Sequence, residues 1–124
     1  HRLARQRSVR WAALTGEPLV LLDHASGSRR LIDDALASHG VQAEVAQQLG
    51  HPTTVFRMVE AGIGVSVLPK MATPDGDHPT LVTRSIGNPV VSRTIGIVRR
   101  RGALLSPTAE RFLQMLMSQW RGET

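Results

Sequence analysis

Two short polar segments carry residue types that can hold a small anion. Asp23-His24-Ala25-Ser26-Gly27-Ser28-Arg29-Arg30 follows an apolar run and leads into a helical pattern, and His51-Pro52-Thr53-Thr54 repeats that arrangement further along. At such a junction the first backbone N–H groups of a helix lack partners and the helix dipole favours negative charge. The small residues Ser26, Gly27 and Ser28 let a ligand approach those amides, and Arg29 adds a planar donor fork suited to a carboxylate or phosphate. After Pro52, Thr53 and Thr54 present hydroxyls beside a second set of amides. Both segments also have a plainer reading. Arg29 and Arg30 precede Asp33 and Asp34 by four residues and fit surface ion pairs, while the hydroxyls fit helix caps. Each junction follows the carboxyl end of a strand, and in open α/β sheets such ends converge on one crevice. Together they predict a small anionic ligand better than either does alone.

Other chemistry is poorly supported. Gly62-Ile63-Gly64 follows a helical pattern and precedes an apolar run, the reverse of a phosphate-binding glycine loop. There is no Gly-x-Ser-x-Gly elbow, and Asp23, His24 and Ser28 sit too close in sequence to form a catalytic triad. Asp75, Asp77 and His78 lie in a turn-rich stretch that reads as solvated rather than metal-binding. Arg99-Arg100-Arg101 is a charge run of the solvated kind. With no cysteine, a disulfide scaffold, a thiolate zinc site and a cysteine nucleophile are all excluded. No acid–base pair, cofactor motif or metal cluster stands out, so an enzyme is not expected.

The elements that must position the two junctions follow from apolar patterning. Leu19–Leu22 is a continuous apolar run, as expected of a strand covered on both faces. Ser28–His39 reads as a helix stopped by Gly40, Val41–Leu49 as a second strand, and Thr53–Ala61 as a second helix. Gly62 with Ile63 fits a left-handed helix stop, and Gly64–Leu68 reads as a third strand. Leu81–Arg84 and Arg93–Arg99 are two further strand candidates. Ser106-Pro107 opens a last helix, whose apolar residues Ala109, Phe112, Leu113, Leu116, Met117 and Trp120 follow offsets of 3, 4, 7, 8 and 11. Alternating strands and helices define an α/β fold with a mostly parallel sheet.

The chain's 124 residues suit one domain, and 41% hydrophobic with 20% charged residues favours a globular fold over disorder. Only Lys70 among the 15 Lys and Arg side chains is a lysine, so the net charge of +5 reads as compositional bias rather than a nucleic-acid footprint. Two Phe, two Trp and no Tyr leave no aromatic platform for stacking bases. The longest apolar candidate for a membrane span, Ile63–Leu68, is far too short, and no secretory signal opens the chain. A start at His1 is expected of a piece of a longer polypeptide.

Five segments, in order, carry a family resemblance. His1-Arg2-Leu3-Ala4, then Trp11–Leu14 with Glu17–Val20, then Met58–Pro69, then Arg93–Val98 and finally Leu105–Ala109 resemble the effector-binding domain of LysR-type transcriptional regulators. The most specific is Val59-Glu60-Ala61-Gly62-Ile63-Gly64-Val65-Ser66-Val67-Leu68-Pro69, similar to the family's Val-x-Ala-Gly-Leu-Gly-Val-x-Leu-Pro. Arg2 replaces a proline of the family pattern. The resemblance implies a type II periplasmic-binding-protein-like subdomain with a mostly parallel sheet, plus a C-terminal helix. It places the second regulatory subdomain at residues 1–97, and a return segment with the closing helix of the first subdomain at 98–124. It also implies a small-molecule inducer, an organic acid by the chemistry above, held in a cleft between subdomains. Cytoplasmic homodimers or tetramers are implied too, with promoter DNA contacted only through an N-terminal helix-turn-helix domain outside this chain and no membrane partner. By position, Ser26-Gly27-Ser28 and Thr53-Thr54 resemble the second subdomain's share of that cleft. Two other classes compete: a solute-binding protein-like domain, marked by a signal peptide, and an α/β enzyme fragment acting on a carboxylate or phosphate. The apolar face of the closing helix is expected to pack on the chain's own sheet or on a second copy.

Overall fold

In a computed structural model the described residues are 1–74 and 76–120; Asp75 and the side chain of Trp120 lie outside them. The chain packs as two compact units, His1–Ser92 and Arg93–Thr124. The first contains strands β1 (Ser8–Arg10), β2 (Pro18–Leu22), β3 (Glu44–Leu49) and β4 (Ser85–Gly87), with helices α1 (Arg29–Ser38) and α2 (Pro52–Glu60). Helix α3 (Pro107–Trp120) belongs to the second.

Strand β2 is the centre of the first unit. It pairs in parallel with β3, Leu22 opposite Leu49, and on its other side Leu19 bridges Val65. Leu19, Val20 and Leu21 are wholly buried. Because side chains alternate across a strand, Leu19 and Leu21 enter a core with Ile32, Ala35 and Leu36 of α1 and with Trp11 and Leu14. Val20 and Leu22 join Val55 of α2 on the opposite face. This is the doubly covered strand its apolar run predicts. Trp11 also ties distant segments, donating from Nε1 to the Pro89 carbonyl at 3.2 Å and stacking on His39.

The helix stops form as the sequence indicates. Gly62 takes a φ of 78°, and Ile63 N–H reaches the Met58 carbonyl at 3.1 Å while Gly62 N–H reaches Val59 at 3.0 Å. The same closure ends α1, where Val41 N–H donates to Leu36 at 2.9 Å. Val41 is thereby used up by the helix end, so the strand expected from Val41 starts only at Glu44. The third strand, expected over Gly64–Leu68, is reduced to the Val65 bridge, with Val65 N–H on the Pro18 carbonyl and Val20 N–H on Val65, both at 2.9 Å. Gly64 permits this approach: a Cβ there would collide with the Pro18 carbonyl oxygen.

Two strand expectations are corrected. The strand expected at Leu81–Arg84 lies instead at Ser85–Gly87, where β4 runs parallel to β1. Residues 93–99 form no strand, because among the described residues no backbone edge pairs with them. In the second unit Ser106 caps α3, its Oγ accepting the Ala109 N–H at 3.2 Å. On the apolar side of α3, Phe112 is 61% and Met115 51% exposed.

Candidate functional site

The two polar junctions sit side by side at the carboxyl ends of β2 and β3. Parallel pairing delivers both strands to the same end of the sheet, and each then enters a helix. Asp23 N–H extends the ladder to the Leu49 carbonyl at 2.9 Å, and a Cβ on Gly50 falls 3.4 Å from Asp23 Oδ2, so the loops touch. The result is a shelf bearing the N-termini of α1 and α2.

The predicted residues differ in how they meet this shelf. Ser26 Oγ and Ser28 Oγ hydrogen-bond to each other at 2.8 Å, and Ser28 makes no side-chain cap to α1. Gly27 is exposed beside them. Arg29 turns inward and is 4% exposed. Its Nε donates to Asp33 Oδ1 at 2.9 Å, and its Nη1 to the Leu22 carbonyl at 2.8 Å and Gln48 Oε1 at 3.0 Å. Its plainer role as the Asp33 partner is thus realised, and it also braces β2 to β3. Arg30 is exposed and forms no ion pair with Asp34. Asp23 places a carboxylate on the shelf, with Oδ1 accepting the Ala25 N–H at 3.0 Å.

At the second junction the cap is His51, a residue the sequence reading passed over. His51 Nδ1 accepts the Thr53 N–H at 3.2 Å, and Pro52 opens the helix. Thr53 and Thr54 are exposed, and their hydroxyls take no hydrogen bond among the described residues. Capping therefore does not occupy them. The signal for His51 was its position before proline, where a ring nitrogen can replace a hydroxyl as cap acceptor.

A separate concavity of about 470 Å³ lies in the same unit, between α2, the Val65–Leu68 segment and the β1–β4 pair. It is lined by none of the predicted site residues. Glu60 stands at its wall, held below the usual carboxylate range chiefly by the Thr80 hydroxyl and then by Arg57, which donates at 2.9 Å. Asp77 and His78 build no metal cluster with other described residues, and Asp75 lies outside them. No helix of the described residues is long and apolar enough to cross a membrane.

Parallel strands feeding two helix N-termini at one sheet end define an α/β fold of the open parallel type. Comparison with known proteins gives it a family: residues 1–121 match the LysR substrate binding domain, and the chain belongs to that family. Its relatives are transcriptional regulators rather than enzymes. It is 49% identical over 117 residues to the uncharacterized HTH-type transcriptional regulator YfeR of Shigella flexneri, covering 94% of this chain and 38% of that protein. To YbhD of Escherichia coli, also an uncharacterized HTH-type regulator, it is 37% identical over 120 residues, covering 97% of this chain and 38% of that one. The chain thus spans 38% of the length of each. Among solved structures, HinK, a LysR family regulator from Pseudomonas aeruginosa, superposes with a TM-score of 0.80 at 26% identity, over 96% of this chain and 41% of that one. The regulatory domain of CcmR from Synechocystis PCC6803, in complex with 2-PG, gives 0.78 at 22% identity, over 99% of this chain and 60% of that one. The periplasmic-binding-protein-like α/β class expected from sequence is the class found.

Proposed function

We propose that the shelf at the carboxyl ends of β2 and β3 binds a small anionic inducer, an organic acid. Binding there modulates DNA contact by a helix-turn-helix domain carried elsewhere in the full-length regulator. The observation that carries this reading is the pairing of Asp23 with Leu49, which sets two helix N-termini side by side with the Thr53 and Thr54 hydroxyls unengaged. Ser26, Gly27 and Ser28 supply the α1 side, Pro52, Thr53 and Thr54 the α2 side. Arg29 contributes by holding the strand ends together. The CcmR regulatory domain in complex with 2-PG supports small-molecule binding on this fold.

In this reading residues 1–97 are the second subdomain of the effector-binding domain and 98–124 return toward the first. The exposed apolar side of α3 serves assembly, within a cytoplasmic homodimer or tetramer. A ligand shifts such an assembly only by its differential affinity for the two states. Thermal shift of the full-length protein against a panel of small carboxylates tests the ligand class. At least one acid is expected to raise the melting temperature, and Thr54→Val to abolish the rise. A flat panel, or a rise untouched by Thr54→Val, refutes the shelf as the inducer site.

A further inference from the structure

Residues 78–84 run as a strap along one side of the concavity, with Thr80, Leu81 and Arg84 in its wall. Both ends of the strap are fastened. Arg84 donates from Nε to the Gln6 carbonyl at 2.7 Å, which ties one end to the segment before β1. The other end closes on His78, whose Nδ1 accepts the Leu81 N–H at 3.1 Å and the Thr80 N–H at 3.3 Å. That turn presents the Thr80 hydroxyl to Glu60 Oε1 on α2. Thr80 Oγ1 lies 3.4 Å from the same ring nitrogen and gives its proton to Glu60.

A ring nitrogen that accepts cannot carry hydrogen, so the turn requires the neutral imidazole with its proton on Nε2. Histidine changes charge in the mildly acidic range, and the imidazolium has an N–H on both nitrogens. Nδ1 would then point a donor at two backbone donors. Glu60 favours the charged ring, with Oε1 3.9 Å from Nε2. A pair so separated and partly exposed is worth less than two backbone hydrogen bonds. Glu60 is besides engaged by Thr80 and by Arg57 Nη1 at 2.9 Å. Asp77, the chain neighbour, is exposed. The other charged groups of the concavity are matched elsewhere: Glu17 takes Arg2 and His1, and Arg84 holds the Gln6 and Thr83 carbonyls. We infer that His78 is a proton-operated catch. Neutral, it keeps the strap against α2; protonated, it gives up the Thr80 and Leu81 amides and frees that side of the concavity. The catch does not rest on the shelf as an inducer site.

Ring-nitrogen and amide chemical shifts of the chain, followed from about pH 8 to about pH 5, test the catch. Glu60, held below the usual carboxylate range by Thr80 and Arg57, stays charged throughout. At the upper limit the ring of His78 is expected to carry hydrogen on Nε2 alone. As it takes up its second proton, the Thr80 and Leu81 amide signals move with the same midpoint. Their protection against hydrogen exchange, corrected for the intrinsic rate, falls about five-fold, the worth of one net hydrogen bond each. Amides of β2 keep their protection, which shows that the fold persists. His78→Asn retains an acceptor for the amide two residues on but does not titrate, so its strap stays closed across the range. His78→Ala opens the strap at every pH. Hydrogen on Nδ1 at the upper limit, amide signals that ignore the ring's midpoint, undiminished protection in acid, or a His78→Asn strap that still opens on acidification overturns the inference.

Discussion

Asp23 and Leu49 are joined by an N–H to carbonyl hydrogen bond of 2.9 Å, Asp23 lying one residue beyond β2 and Leu49 being the last residue of β3. The bond carries the ladder past the strands and delivers both helix entrances to one place. It also fixes the Asp23 carboxylate there, where, in the proposed reading, like charge opposes an incoming acid.

Removing that charge is expected to favour acidic ligands. Asp23→Asn keeps the Ala25 capping bond, because the amide oxygen still accepts, and deletes the repulsion. A carboxylate found in the thermal-shift panel should bind about three-fold or more tightly to this variant at low salt, with the gain shrinking as salt screens it. Isothermal titration at two ionic strengths measures both effects.

In the proposed reading, the cap and the ligand-facing hydroxyls at α2 belong to different residues. His51→Ala should cost about 1 kcal/mol of stability, the usual worth of a lost cap. Thr53→Val and Thr54→Val, at exposed hydroxyls with no protein partner, should stay within about 0.5 kcal/mol. Urea denaturation of the three variants distinguishes the positions; a Thr54→Val chain as unstable as His51→Ala means that Thr54 is structural.

Arg29 is a brace. Arg29→Met leaves the buried Leu22 carbonyl without this donor, while the exposed Gln48 side chain can turn to water, and should cost about 1–3 kcal/mol. Asp33→Asn should cost less than about 1 kcal/mol, because Asp33 is 36% exposed and the pair is screened. Denaturation midpoints with unchanged slopes would show that stability alone has moved.

Glu60 offers a pH signature. Its folded pKa lies below the ordinary value of 4.5, first because the Thr80 hydroxyl donates to the carboxylate and then because Arg57 does. A lowered carboxylate pKa means that the contribution to stability is present above 4.5 and is lost as pH falls through the folded value. Thr80→Val should move the Glu60 titration upward, read by carboxyl carbon shifts, and reduce the loss of stability on acidification.

What the sequence displayed plainly was local or periodic. The run Leu19–Leu22, the stop at Gly62 and the helix start at Ser106-Pro107 each depend on a few adjacent residues, and each forms as read. Pairing partners were less visible. β1 and β4 are three residues each and meet across most of the first unit, so neither announces itself by alternation. Residues 93–99 have a strand's composition, but β-structure is completed by a neighbour that composition does not reveal. At the site, the adjacency of the two junctions was legible from strand order. The inward turn of Arg29 was not, since arginine is rarely this buried and its acceptors, Leu22 and Gln48, lie outside its own helix.

The division of β2 between two apolar clusters limits where specificity can evolve. Every residue from Leu19 to Leu22 is already committed to one side or the other. If the proposed shelf is the binding site, a regulator adapting to a new metabolite has little latitude along this keel. Its freedom lies in the short turns beyond the keel's end, where residues can be exchanged without disturbing either half of the interior.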